Sequence, residues 1–299
     1  MKRAVNKTSL VPALPRTVFR ITELINDPDS SASDFANVIY ADPTLTGRLL
    51  GLANSYFRGF SLKVYTVSEA VGLLGFDAIK DVLLDIPLTN PFIAAEKHKI
   101  KVKNVLDHSL CCAVGAEVIG EYIGYETEVN LFVLGLLHDI GKIVEILYFP
   151  EDFLRSVSLA KKKNILMVEA EKRIMNTTHP EIGALLAEKW ELPPAVLNAI
   201  THHHQSHLAG EFALETSIVH LADILCRTLD MGANDSNVIP PQNLAAWKLL
   251  QLEPGSIKDI VKAIETEFNV INSSLHSIPV TKKSRTTRHP CTVDLKIRT

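Results

Sequence analysis

Leu131–Leu147 reads LFVLGLLHDIGKIVEIL. Apolar residues fill most of it, yet His138 and Asp139 stand side by side at its centre, and Lys142 follows three residues later. Burying such groups among leucines is costly unless they are paired or hold a metal. Adjacent residues on a helix point about 100° apart, so a neighbouring His-Asp pair can hold one metal between them, or let the carboxylate reach a second. Lys142 lies at i+3 from Asp139 and shares its face. An ammonium there could hold a phosphate oxygen opposite the metal.

Outward from this stretch, almost every periodic segment reads as helix. Asp42-Pro43 has the form of an N-cap followed by proline at the first helical position, and Leu45, Leu49 and Leu52 then share one face. Thr66 and Glu69 form a capping-box pattern ahead of Val67, Val71 and Leu74, with Gly75 placed to end that helix. Asp77 is placed to cap the next, with Ile79, Val82, Leu83 and Ile86 inward. Ser256 is placed to cap a last helix carrying Ile257, Ile260, Val261, Ile264 and Phe268. Convincing alternating strands are few and no fixed repeat occurs, so the fold class is all-α. Gly47, Gly51 and Gly72 inside helical patterns would cost stability unless helices approach closely there. Asn54 and Ser55 stay open between capping a helix and serving a partner. Residues 89–104 are mixed and can join two helical halves, and residues 232–243 are a loop by composition.

The chain has 299 residues, 46% of them hydrophobic and 22% charged, with net charge −3. That is an ordinary globular composition with a sizeable core, and it gives no reason to expect general nucleic-acid binding. The basic opening is not followed by a long apolar run, so no signal peptide is expected, and no run is long enough to cross a membrane. Cys111, Cys112, Cys226 and Cys291 make neither a Cys-x-x-Cys site nor a disulfide framework. A reduced, cytoplasmic compartment is the simplest reading, with Cys111 and Cys112 as small core residues. Residues 279–299 carry six basic residues against one acid, Asp294. They read as a flexible solvated tail, with docking to an acidic partner as the second reading.

Candidate partners for the central pair lie elsewhere. His108 sits in NVLDHSLCCAVGAEVIG, which reads as a helix, and His179 opens a second, HPEIGALLAEKW. THHHQ supplies His202, His203 and His204, and Asp223 lies in the apolar helix SIVHLADILCR. Imidazole and carboxylate together suit divalent transition metals better than magnesium or calcium. Each residue also has a structural reading. A lone helical histidine is usually packed or hydrogen-bonded. Lys142 can be a helix-end charge reaching water. His202 reads as an exposed neighbour of the pair His203-His204. His220, one turn before Asp223, reads as packing or as support for that carboxylate. His98, His207, His276 and His289 have no evident partner.

Together these motifs resemble the HD superfamily of metal-dependent phosphohydrolases, and more specifically its HDOD branch, the HD-related output domain. The resemblance is carried, in order, by LVPALPRTVFRITELINDP, DPTLTGRLLGLANS, VSEAVGLLGFDAIKDVLL, HDIGK and HPEIGALLAEKWELPPAVLNAITHHH, from about Leu10 to about Leu225. It implies an N-terminal helical bundle, residues 8–95, packed on an HD-type metal-binding helical bundle, residues 96–275. His108, His138, Asp139 and Asp223 match the four ligands of a single-metal HD site. His179, His203 and His204 match the extra ligands of the binuclear HD-GYP branch, where Asp139 would bridge. The implied cofactor is one or two divalent transition metals, drawn from iron, manganese, nickel and zinc. Asp139 and Lys142 are the catalytic residues implied, with Lys142 stabilising charge on a phosphoryl group. Two departures limit the match. Gln205 follows the histidines where HD-GYP proteins carry a glutamate, and no GYP comes after it, which speaks against cyclic di-GMP hydrolysis. Asn104 stands where some members carry a glutamate for a third metal, so two metals are the most expected. The function expected is a bacterial signal-transduction module that binds metal and a phosphate or nucleotide ligand and passes on its state to a protein partner. The alternative is a working phosphohydrolase or phosphodiesterase on a nucleotide-like substrate.

Overall fold

The structure, a computed structural model, describes residues 29–56, 63–84, 100–229, 235–236, 238–241 and 243–276, with Thr17, Arg20, Ile21, Glu23, Leu24, Asp27, His98 and Met231 besides. Most of the opening LVPALPRTVF motif, residues 85–97 with Ile86, the side chains of Asp77 and Leu83, and the tail 279–299 lie outside the described residues.

The described residues form helices and turns with no strand among them. Helix α1 (Ala32–Ile39) starts on a capping box between Ser31 and Asp34. Helix α2 (Pro43–Tyr56) starts as expected, with the Leu45 amide donating to Asp42 Oδ1 at 3.1 Å. Helix α3 (Val67–Leu84) opens on reciprocal bonds of 3.1 Å between Thr66 and Glu69, then breaks at Gly75, where φ is +76°. The Asn54 side chain bonds within its own chain. Its amide donates to the carbonyls of Leu50 and Val64 and its carbonyl accepts from the Val64 amide, tying α2 to the segment that leads into α3.

The second half of the chain supplies α4 (Val102–Tyr122), α5 (Leu131–Leu137), α6 (Ile140–Tyr148), α7 (Pro150–Lys163), α8 (Met167–Met175), α9 (His179–Lys189), α10 (Pro194–His202), α11 (Ala213–Thr228), α12 (Leu244–Leu250) and α13 (Ile257–His276). The last of these departs from expectation at its start. Ser256 closes a 3₁₀ turn, its hydroxyl donating to the Glu253 carbonyl, and α13 continues from that turn. None of the described helices is long and apolar enough to cross a membrane.

Helix α4 is the axis. Its buried face packs on α5, α11 and α13, while α9 lies on α6 and α10. One hydrophobic core runs from Ile21 to Phe268, and a smaller one (Ile146, Phe153, Ala160, Met167, Ala170) sits under α7 and α8. Each large aliphatic side chain so buried contributes about 1.5–3 kcal/mol. Helix α2 joins the same core through Trp190, which caps α9 and presses on two glycines. A Cβ at Gly51 would lie 2.1 Å from the Trp190 carbonyl oxygen, and one at Gly47 would lie 2.6 Å from its ring. Gly72, by contrast, faces open space. Gly51→Ala should therefore cost about 1–3 kcal/mol, whereas Gly72→Ala should gain about 0.5–1 kcal/mol. Thermal unfolding of the two variants checks this, and equal shifts would contradict the seating of Trp190.

Candidate metal centre

The opening stretch is not one helix. It bends at His138-Asp139, between α5 and α6, where Asp139 takes φ −102° and ψ 16°. The physical reason for the bend's surroundings is the close approach of α9. A Cβ on Gly141 would sit 2.0 Å from the His179 carbonyl oxygen, so only glycine lets the start of α9 reach the start of α6. That start is fixed by a capping box of Thr178 with Glu181 and by the His179 amide donating to Glu171 at 2.9 Å. The bend delivers His138 at the end of α5 and Asp139 at the head of α6, with Lys142 still folding back onto Asp139.

All seven expected ligands and Lys142 converge. Asp139 is central. Its Oδ1 lies 3.1 Å from His179 Nε2 and 3.7 Å from His203 Nε2, while its Oδ2 lies 3.3 Å from His138 Nε2 and 3.7 Å from His108 Nε2. On one side, His108 from α4 meets Asp223 from α11 at 2.9 Å. On the other, His179 Nε2 stands 3.4 Å from His203 Nε2 and 3.2 Å from His204 Nε2. The expected register within HHH holds in space: His203 is buried, His204 is partly so, and His202 does not join the cluster.

The outer nitrogens fix the tautomers. His138 Nδ1 donates to the Gly135 carbonyl at 2.7 Å, His203 Nδ1 to the Ile200 carbonyl at 3.0 Å, and His179 Nδ1 to the Glu171 carboxylate at 2.8 Å. Each ring then turns an Nε2 lone pair inward, the arrangement that metal-binding histidines use. Lone pairs this close repel unless a cation or proton lies between them. His138 Nε2, Asp139 Oδ1, Asp223 Oδ2 and His204 Nδ1 are buried without a hydrogen-bond partner, a costly state in a dry interior. The donor set therefore fits a divalent transition metal, or two with Asp139 between them.

The electrostatics divide the site: burial opposes charge on His138 and His179, yet Asp139 beside the first and Glu171 beside the second hold both above the usual histidine range. Burial opposes the charge on Asp139, yet His138, Lys142 and His179 hold it well below the usual carboxylate range. Burial likewise opposes the charge on Asp223, where Arg227 and His108 prevail. Burial and the neighbouring imidazoles drive His203 and His204 well below the usual histidine range, leaving them neutral donors.

Four residues of the site went unforeseen. Arg227, one turn after Asp223 on α11, donates to Asp223 Oδ1 at 2.7 Å and to Asp235 Oδ1 at 2.9 Å. Asp235 Oδ2 accepts from Lys142 at 2.6 Å, and Lys142 donates in turn to Asp139 Oδ2 at 2.8 Å. The result is a continuous ladder, Asp223–Arg227–Asp235–Lys142–Asp139. Lys142 is only 2% exposed, so it is not a helix-end charge in water. Its ammonium, kept protonated against burial by Asp139 and Asp235, is covered by the Asp235 carboxylate. Glu171 holds His179, and Glu145 is fully buried nearby, pushed well above the usual range by burial and by Glu171. His220 does not touch Asp223. Its Nδ1 donates to the His203 carbonyl at 2.7 Å and its Nε2 accepts from the Asn243 amide, so it steadies the His203 backbone. His207 Nδ1 also has a partner, the Asn243 side chain at 3.1 Å.

The model of the HDOD domain matches residues 11–206, about two thirds of the chain. The chain belongs to the HDOD domain family. It is 27% identical over 241 residues to an uncharacterized protein of Treponema pallidum, covering 80% of this chain and 46% of that one, so it spans about half the length of that relative. Among solved structures it is similar to an HDOD domain protein from Geobacter sulfurreducens (25% identity, TM-score 0.52, 90% of this chain and 94% of that one). It has the fold of the MmoQ response regulator from Methylococcus capsulatus (24% identity, TM-score 0.63, 84% of this chain and 98% of that one).

Proposed function

We propose that the chain is a signalling module whose buried centre holds one or two divalent transition metals and takes a phosphate or nucleotide ligand at Lys142. One observation carries the reading: six imidazole and carboxylate side chains converge on Asp139, and four donor atoms of the set, His138 Nε2, Asp139 Oδ1, Asp223 Oδ2 and His204 Nδ1, are buried without a hydrogen-bond partner. His108, His138, Asp139 and Asp223 would hold one ion. Asp139, His179, His203 and His204 would hold the other. When bound, such an ion supplies Lewis-acid polarisation of a phosphoryl oxygen.

Access separates the module from the alternative, a metal-dependent phosphohydrolase. Of the seven side chains only that of His204 is noticeably exposed, at 17%, and Lys142 already has an anion, Asp235, on it. A ligand phosphate would have to displace that carboxylate. The sheltered site weighs against turnover, while the placement of Lys142 beside Asp139 is what supports the enzymatic reading.

The test is elemental analysis of the full chain purified without added metal, followed by titration with inorganic phosphate and nucleotides. At least one metal ion per chain is the expected result, and a metal-free, well-folded protein that rejects manganese, iron and zinc would overturn the reading. Asp235→Asn should tighten phosphate binding about tenfold, since a competing charge-assisted contact to Lys142 is weakened. Unchanged phosphate affinity would place the ligand elsewhere. Hydrolysis of nucleotides or phosphodiesters above a metal-free control would favour the enzyme.

A further inference from the structure

We propose that Cys112 is a ligand of the half-site formed by His108, His138 and Asp223, which makes this half a sulfur-bearing position that prefers zinc to manganese. The proposal rests on the metal-binding reading above and adds to it a donor of a different chemical kind.

The sequence places Cys112 one helical turn after His108, on the same face of α4. Its sulfur lies 3.5 Å from His108 Nε2, the nitrogen that also faces Asp223 and Asp139. One donor atom from each of His108, Cys112, His138 and Asp223 falls within 4.8 Å of all the others, and all four residues are buried. Two of those donors, His138 Nε2 and Asp223 Oδ2, have no hydrogen-bond partner. The His108–Cys112 separation suits two donors on one ion. With zinc–sulfur near 2.3 Å and zinc–nitrogen near 2.0–2.1 Å, the nitrogen–sulfur edge of a tetrahedron is about 3.5 Å.

The neighbouring cysteines are placed differently. Cys111 points to Cys226 and Met231, away from the histidines, and serves as core packing. On ligation the S–H bond of Cys112 is replaced by a sulfur–metal bond and the proton leaves to solvent. A soft donor among two nitrogens and the carboxylates of Asp139 and Asp223 suits zinc or ferrous iron, and disfavours manganese, which prefers oxygen. His179, His203 and His204 form a half-site without sulfur, so the two halves would differ in the metal they select.

The experiment uses the full chain, stripped of metal and reloaded with cobalt(II), whose spectrum reports its ligands. Wild type should show a thiolate-to-cobalt charge-transfer band in the near ultraviolet together with visible ligand-field bands. Cys112→Ser should lose the first and keep the second, Cys111→Ser should keep both, and the preference of Cys112→Ser for zinc over manganese should fall about tenfold or more. Zinc-edge X-ray absorption of the wild type, which needs no variant, should show a sulfur neighbour at about 2.3 Å. Ligand-field bands without the charge-transfer band, or a charge-transfer band that survives Cys112→Ser, would overturn the role of Cys112 and leave the metal site standing. Failure of the wild type to bind cobalt, zinc or manganese would remove the metal site and this proposal with it.

Discussion

Asp139→Asn is expected to empty the centre. Asp139 faces both groups of histidines, with Oδ1 toward His179 and His203 and Oδ2 toward His138 and His108. An amide cannot bridge two cations, and its nitrogen would be aimed at one of them. Loss of an outer partner alone typically costs 10–100-fold in metal affinity, so loss of the bridge should cost about 100-fold or more. Stability follows by linkage: a metal at 100 times its dissociation constant stabilises a fold by about 2.7 kcal/mol. Chelation should therefore lower the Tm of the wild type by several degrees and leave that of Asp139→Asn nearly unmoved. Asn also removes a charge that Lys142 faces in the interior, and breaking a buried pair costs about 3–5 kcal/mol. His204→Gln, at the edge of the cluster, separates the two effects, since it removes one donor and leaves the ion-pair ladder intact. Elemental analysis of both variants decides the matter. A folded Asp139→Asn protein with wild-type metal content would remove Asp139 from the site.

The helices were legible because their signals are local. Asp42 and Thr66 cap α2 and α3 as their spacing suggests, and Gly75 interrupts α3 where the pattern places a stop. His138 and Asp139 were legible for a different reason: ionisable groups inside an apolar run demand an explanation. Glu145 gives the same signal within the same stretch, LFVLGLLHDIGKIVEIL, and deserved the same question. Arg227 could have been found from its i+4 spacing to Asp223. Asp235 could not, because it lies in an aperiodic loop and its partner Lys142 is 93 residues away. Nor was the bend at His138-Asp139 legible. No proline marks it, the apolar pattern runs on through it, and its surroundings are set by α9, which arrives some forty residues later. The identities of the site residues thus came from chemistry and resemblance, whereas the cover over Lys142 came only from tertiary structure.

The second large effect is expected at a residue with no side chain. Gly141→Ala would place a Cβ 2.0 Å from the His179 carbonyl oxygen, 2.8 Å from its carbon and 2.9 Å from the Gly183 amide nitrogen. All three are backbone atoms, so no rotamer change relieves the clash. Gly183→Ala makes a milder contrast, since its nearest atom, at 2.7 Å, is a side-chain methyl of Ile200 and the nearest backbone atom is 3.4 Å away. Overpacking that forces backbone shifts costs about 1–3 kcal/mol and sometimes more, and Gly141→Ala belongs at or beyond the upper end. The same shift acts on the centre. Helices α6 and α9 carry Asp139 and His179 at their first turns, 3.1 Å apart, so separating the helices by an ångström lengthens that contact directly. With two ions bound as proposed, Gly141→Ala should lose the one at His179, His203 and His204 before the one at His108 and Asp223, while Gly183→Ala should keep both. Metal stoichiometry and thermal unfolding of the two variants measure this together. If Gly141→Ala matched the wild type in both, α9 could not be seated on α6 in this way, and the donors it brings to Asp139 would have to come from elsewhere.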